Sequence, residues 1–200
     1  MDIVSKTENF VQEYMRQFDC SHDWHHVERV VRQALIIAKT ESTHTPIDIL
    51  VVHLAALLHD VNDAKYTKEP TVSIAEFLTS NGLEEEKALL ISRIIDNVSF
   101  RKELKADEKS EWRDSCMELA CVQDADRLDA VGAFGILRCA AFSGARNRPL
   151  HSPQDMITAD ITFEDYTKTG KQEAQHRHDF MVQFLAQIDA EYAFGNVNEA

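Results

Sequence analysis

The sequence predicts an all-α fold, on three observations. Nearly every segment repeats its apolar residues at helical spacing, no pair of alternating runs suggests a strand pairing, and the breaks fall at Pro, Gly and Asn. Two hundred residues with 44% hydrophobic content suffice for one domain with a sizeable core, so a single domain over 1–200 is expected.

The elements follow in order. Val4, Phe10, Val11, Tyr14, Met15 and Phe18 make the stripe of a first helix. Ser21 is placed to cap a second, with Val27, Val30, Val31, Ala34, Ile37 and Ala38 inward. Pro46 starts a third, whose Ile47, Leu50, Val51, Leu54, Ala55, Leu57 and Leu58 are apolar almost all round. Pro70 opens a fourth, which Asn81-Gly82 closes as a C-cap. A fifth runs from Glu84 to Val98, with Leu89, Ile91, Ile94, Ile95 and Val98 inward. Ser99 to Lys109 is charged and aperiodic and reads as a surface loop. Helix is expected again over Asp114–Ala130, Ala133–Phe142 and Tyr166–Tyr192, the last supplying Phe180, Phe184, Leu185 and Ile188. Ser143 to Asp165 is the longest irregular stretch, of the kind that often serves a site.

Charge narrows the function. Asp and Glu number 34 against 21 Lys and Arg, a formal charge of −13, which repels nucleic-acid polymers and anionic membranes. A small phosphorylated metabolite remains compatible with a cleft rich in metal and Arg. Cys20, Cys116, Cys121 and Cys139 form no CxxC pair, and the start MDIVSKTENF has no basic, apolar leader pattern; both suit a cytoplasmic protein with reduced thiols. Ile49 to Leu58 is too short to span a bilayer, and a homodimer is the base-rate oligomer.

Imidazoles and carboxylates concentrate in three blocks: SHDWHHVERV at Ser21 to Val30, LLHDVNDAK at Leu57 to Lys65, and VQDADRLDA at Val122 to Ala130. His22 and His26, spaced i, i+4, share a helix face, and Arg29 lies one turn beyond His26, where its fork suits a phosphate or a carboxylate. His59 and Asp60 end the apolar helix, and Asp63 lies one turn past Asp60 as a spare carboxylate for orienting water or taking its proton. Asp126, with Val122 and Ala125 beside it, reads as lying on a buried helix face. Nitrogen and oxygen donors of this kind suit a six-coordinate divalent ion with open positions better than a thiolate-rich structural zinc site. Such an ion acidifies water, polarises phosphorus and offsets the charge of a departing oxygen. Each block also has an ordinary structural reading: His and Asp often finish helices, Asp124, Arg127 and Asp129 can pair within their helix, His53 is a packed or partly exposed histidine, and Trp24 and Trp112 are core anchors.

In order, the blocks resemble the HD-domain phosphohydrolase superfamily, whose pattern is H, then HD, then a distant D. HDWHHVERV, AALLHDVNDAK, DADRLDAVGAFGILR and QHRHDFMVQFL are similar to one branch of small single-domain HD hydrolases, over about residues 21–192. The resemblance implies a helical bundle and a metal held by His26, His59, Asp60 and Asp126. It places Asp63 near the attacking water and Lys65 near phosphate, and Arg29, by its own fork and position, is the further phosphate contact expected. It implies one divalent ion, Mn, Co, Ni, Fe or Mg, with Mn favoured, and a small nucleotide substrate. The expected activity is nucleoside triphosphate pyrophosphohydrolysis; a nucleoside 5'-monophosphate phosphatase and a non-catalytic metal or nucleotide binder are the alternatives. Ala64 stands where enzymes that hydrolyse guanosine alarmones carry a second carboxylate, which disfavours that activity. An oxygenase would need further histidines between Asp60 and Asp126, and there are none. The stretch after GILRCAAF is shorter than in many branch relatives.

Overall fold

The fold is given by a computed structural model that describes residues 2–18, 23–62, 73–98, 111–150 and 166–194. Among these there are nine helices and no strand: α1 Ile3–Met15, α2 Trp24–Glu41, α3 Ile49–Leu58, α4 Ile74–Ser80, α5 Glu85–Val98, α6 Glu111–Ser115, α7 Met117–Asp129, α8 Gly132–Ala145 and α9 Lys168–Ala193. The residues group into two compact units, Met1–Asp126 and Arg127–Ala200. No single described helix is long and apolar enough to cross a membrane.

In the first unit α3 is central, with α1, α2 and α5 packed on it. Its sequence ILVVHLAALL explains the position: a helix apolar on all sides loses least when neighbours cover all of it. Val51, Val52 and Leu54 through Leu58 are all buried. Asp48 caps it, its carboxylate accepting from the amides of Leu50 and Val51, so the helix begins two residues later than Pro46-Ile47 suggested. The Asp48 amide in turn donates to Glu118 of α7 at 2.9 Å.

Local chemistry moves several other boundaries. Asp23, rather than Ser21, is the N-cap of α2, because its carboxylate accepts from the His26 amide. Ser73 caps α4, and Pro70 lies outside the described residues, as do 99–110 and 151–165, which contain the expected loop and most of the irregular stretch. The helix expected over 114–130 is divided at Cys116, whose carbonyl starts the α7 ladder and whose thiol donates to Glu118. Ser143–Ala145 are still helical, completing α8. On α5 the buried stripe is Ala88, Ile91, Ile94 and Val98, so Leu89, a single step of about 100° from Ala88, is 55% exposed.

The second unit pairs α8 with α9. Its buried helical positions are small: Gly132 and Gly135 on α8, Gly170 and Ala174 on α9. Phe180 and Phe184, expected inward, are 44% and 39% exposed. At Gly132 an added Cβ would lie 3.0 Å from the Arg177 Cβ of α9, a fit that the apolar spacing of α9 alone does not reveal. At Gly135 it would lie 2.4 Å from the Ala130 carbonyl oxygen in the turn before α8, so that contact requires glycine.

Candidate metal centre

Four side chains from three parts of the sequence converge in the first unit. The first turn of α2 contributes His26, whose amide is held at 3.0 Å by the Asp23 carboxylate, so the cap that starts the helix also sets the histidine. The end of α3 contributes His59 as its C-cap and Asp60 as the next residue. α7 contributes Asp126. The separations are short and similar: His26 Nε2 to His59 Nε2 3.3 Å, His26 Nε2 to Asp60 Oδ2 3.4 Å and to Asp126 Oδ1 3.5 Å. From His59 Nε2 the distances are 3.5 Å to Asp60 Oδ2 and 3.9 Å to Asp126 Oδ1.

These distances suit donors around a shared cation. Charge-assisted pairs of imidazolium and carboxylate close to about 2.7–2.9 Å, and none of the four contacts is that short. Donors about 2.0–2.2 Å from one ion sit about 3–3.5 Å from each other at tetrahedral or right angles, and four of the five separations fall at that scale. His59 Nδ1 lies 2.8 Å from the Ala56 carbonyl oxygen. A carbonyl only accepts, so Nδ1 carries the ring proton and donates it, leaving the Nε2 lone pair facing the cluster. His26, His59 and Asp126 together satisfy the geometry of a three-ligand metal group, their donor atoms lying within 4.8 Å of one another. Two imidazoles and one carboxylate, with Asp60 beside them, offer the mixed nitrogen and oxygen donors that a divalent ion takes, so the side chains present fit such an ion.

Burial is uneven. His26, His59 and Asp60 are 1%, 6% and 7% exposed, whereas the Asp126 side chain is 36% exposed. Asp126 lies one turn from Val122 and next to Ala125, both fully buried, so it sits at the edge of the buried face expected of it, with its side chain partly open. Asp129 is also fully buried, with the Arg138 guanidinium of α8 3.1 Å away. Arg127 lies over the Tyr166 ring.

Arg29 is half-buried on α2, one turn beyond His26. Asp63 and Lys65 lie outside the described residues, as does His22. His53 is half-buried on α3; burial lowers its pKa, against the opposing pull of Glu8 and Asp2. Immediately after Asp60 the chain turns sharply: the Val61 amide donates back to Leu58, and Asn62 takes φ +64°, a left-handed conformation that Asn tolerates better than most residues.

The HD domain family model matches residues 23–131, more than half of the chain, and spans all four converging residues. The chain belongs to the HD domain family. Over 190 residues it is 34% identical to YpgQ of Bacillus subtilis strain 168, covering 90% of this chain and 89% of that one. The solved structure of Bacillus subtilis YpgQ in complex with ADP is similar with a TM-score of 0.72 at 30% identity, covering 94% of this chain and 97% of that one. An HD-superfamily hydrolase from Bacillus thuringiensis is similar with the same TM-score of 0.72, also at 30% identity, over 96% and 97% of the two chains. As a member of the HD superfamily, the protein is a metal-dependent phosphohydrolase with an all-α fold and a candidate His-His-Asp metal site.

Proposed function

We propose that the protein hydrolyses nucleoside triphosphates to the monophosphate and pyrophosphate, using one divalent ion, preferably Mn²⁺, held by His26, His59, Asp60 and Asp126. The observation that carries the metal assignment is the convergence of two imidazole Nε2 atoms and two carboxylate oxygens at 3.3–3.9 Å. The complex of a similar protein with ADP supports a nucleotide as the ligand.

When bound, the ion supplies positive charge that acidifies water and draws electron density from phosphorus. The chain's own residues then have distinct tasks. His59 is held by Ala56 so that its lone pair stays directed at the cluster without reorganisation. Asp63 takes the proton of the attacking water as its oxygen bonds to the α-phosphorus. The bond from that phosphorus to the bridging oxygen breaks, and the electron pair leaves with pyrophosphate. Arg29 and Lys65 hold phosphate oxygens and offset the charge gathering on them. The same reading keeps the protein in the cytoplasm, acting on a free nucleotide as a single catalytic domain.

The test is a release assay on metal-stripped protein with Mn²⁺ or Co²⁺ restored, across nucleoside mono-, di- and triphosphates, scoring phosphate and pyrophosphate separately. Pyrophosphate from triphosphates is expected. Phosphate from monophosphates would replace this reading with a nucleotidase, and no release with any metal would overturn it.

A further inference from the structure

The turn that follows the His59-Asp60 pair is tied to a residue far away in sequence. The backbone amide of Asn62 donates to the hydroxyl of Tyr14 at 3.3 Å, across 48 residues. Tyr14 belongs to α1, and its ring is placed by aromatic neighbours: Phe18 at 5.4 Å and Phe10 at 6.1 Å between centroids, with Phe10 against Phe77 of α4 at 4.6 Å. An aromatic row therefore runs from α4 along α1 to Phe18, and the hydroxyl of Tyr14 within it meets the turn.

The turn needs such a tie. Val61 is 2% exposed, with its amide bonded to Leu58, so the inner side is anchored by packing and by one hydrogen bond. Asn62, one residue on, holds φ +64°, a conformation that an L side chain leaves readily unless its surroundings hold it. Any relaxation there reaches Asp60 through only Val61. His59, by contrast, is fixed within α3 by its own hydrogen bond to Ala56.

We infer that Tyr14 is a positioning residue for the metal centre, its hydroxyl holding the Asn62 amide and so the orientation of the Asp60 carboxylate. This rests on the metal assignment made above. The role belongs to the hydroxyl and not to the ring, so Tyr14→Phe separates it from core packing: the aromatic row is preserved and only the acceptor is removed.

The experiment is Mn²⁺ binding to metal-stripped wild type and Tyr14→Phe by titration calorimetry, with melting temperature measured on the same samples and turnover followed against Mn²⁺ concentration. Tyr14→Phe is expected to bind Mn²⁺ about threefold to tenfold more weakly, the range that loss of one neutral hydrogen bond produces. Its metal-free melting temperature should stay close to wild type, and saturating Mn²⁺ should restore turnover. Equal Mn²⁺ affinity in the two proteins would overturn the role of Tyr14 and leave the metal assignment standing. Wild type that bound no Mn²⁺ would overturn the assignment itself. A weaker affinity accompanied by a matching loss of metal-free stability would make Tyr14 a packing residue and also overturn the inference.

Discussion

Lys87 of α5 places its ammonium 2.7 Å from the Asp48 carboxylate, joining the fifth helix to the cap of the third. Burial alone would raise the Asp48 pKa, but the Lys87 hydrogen bond and charge and the amides of Val51 and Leu50 outweigh it and hold it below its ordinary value of 3.8. A carboxyl lowered in this way stabilises the fold above its unfolded pKa and loses that contribution as pH falls through the lower native value. Asp48→Asn keeps the capping oxygen and removes the titration. Its stability deficit against wild type, measured by urea unfolding, should therefore be present at pH 7 and shrink below about pH 4. Asp48→Ala, which also loses the cap, should cost about 1 kcal/mol more.

Replacement of His59 by Ala should abolish both metal occupancy and turnover. Elemental analysis of metal per chain, alongside the release assay, checks this, and a variant that kept full activity would refute the proposed centre. His59→Ala also leaves the Ala56 carbonyl at the end of α3 without its imidazole donor, so a melting curve on metal-free protein should accompany it.

Asp129 is fully buried and its Arg138 partner lies 3.1 Å away. Removing one member of a buried ion pair leaves the other charge less compensated in a poor solvent for it, so Arg138→Ala should destabilise the protein by about 3 kcal/mol. Arg138→Lys should recover part of this, since a point charge replaces the planar fork. Denaturant unfolding of the three proteins decides it.

Two glycines should respond differently to alanine. Gly82 has φ +95° with open space around it, so Gly82→Ala should cost about 1 kcal/mol from the backbone alone. Gly135→Ala would place a methyl 2.4 Å from the Ala130 carbonyl oxygen, and backbone cannot swing aside as a flexible side chain can. Its cost should be about 3 kcal/mol or more, read as a difference in melting temperature or unfolding midpoint.

The sequence made some features legible because they depend on local chemistry. Helical spacing identified the buried faces of α2 and α3, where Val27, Val30, Val31, Ala34, Leu54 and Leu58 are all buried. Beyond local chemistry, the resemblance to the HD pattern pointed to the four residues that converge, although only the fold shows that His26 and His59, 33 residues apart, meet at 3.3 Å. What spacing could not reveal depends on partners elsewhere in the chain. Phe180 and Phe184 are exposed while the buried helical positions of α8 and α9 are glycines and an alanine, and Asp129 is buried with Arg138 3.1 Å away. Tyr14 sits in an ordinary apolar stripe, and nothing near it in sequence marks its hydroxyl as the acceptor for Asn62.

The uneven burial of the four converging residues gives the site a direction. His26, His59 and Asp60 form a closed basket, and Asp126, more than a third exposed, is the side on which water can reach it. Under the proposed assignment, a cation would exchange water first for the carboxylate that still touches solvent and last for the shielded imidazoles. In that reading Asp126 would be a gatepost as well as a ligand, setting how quickly cations come and go, while the basket would set which cation stays.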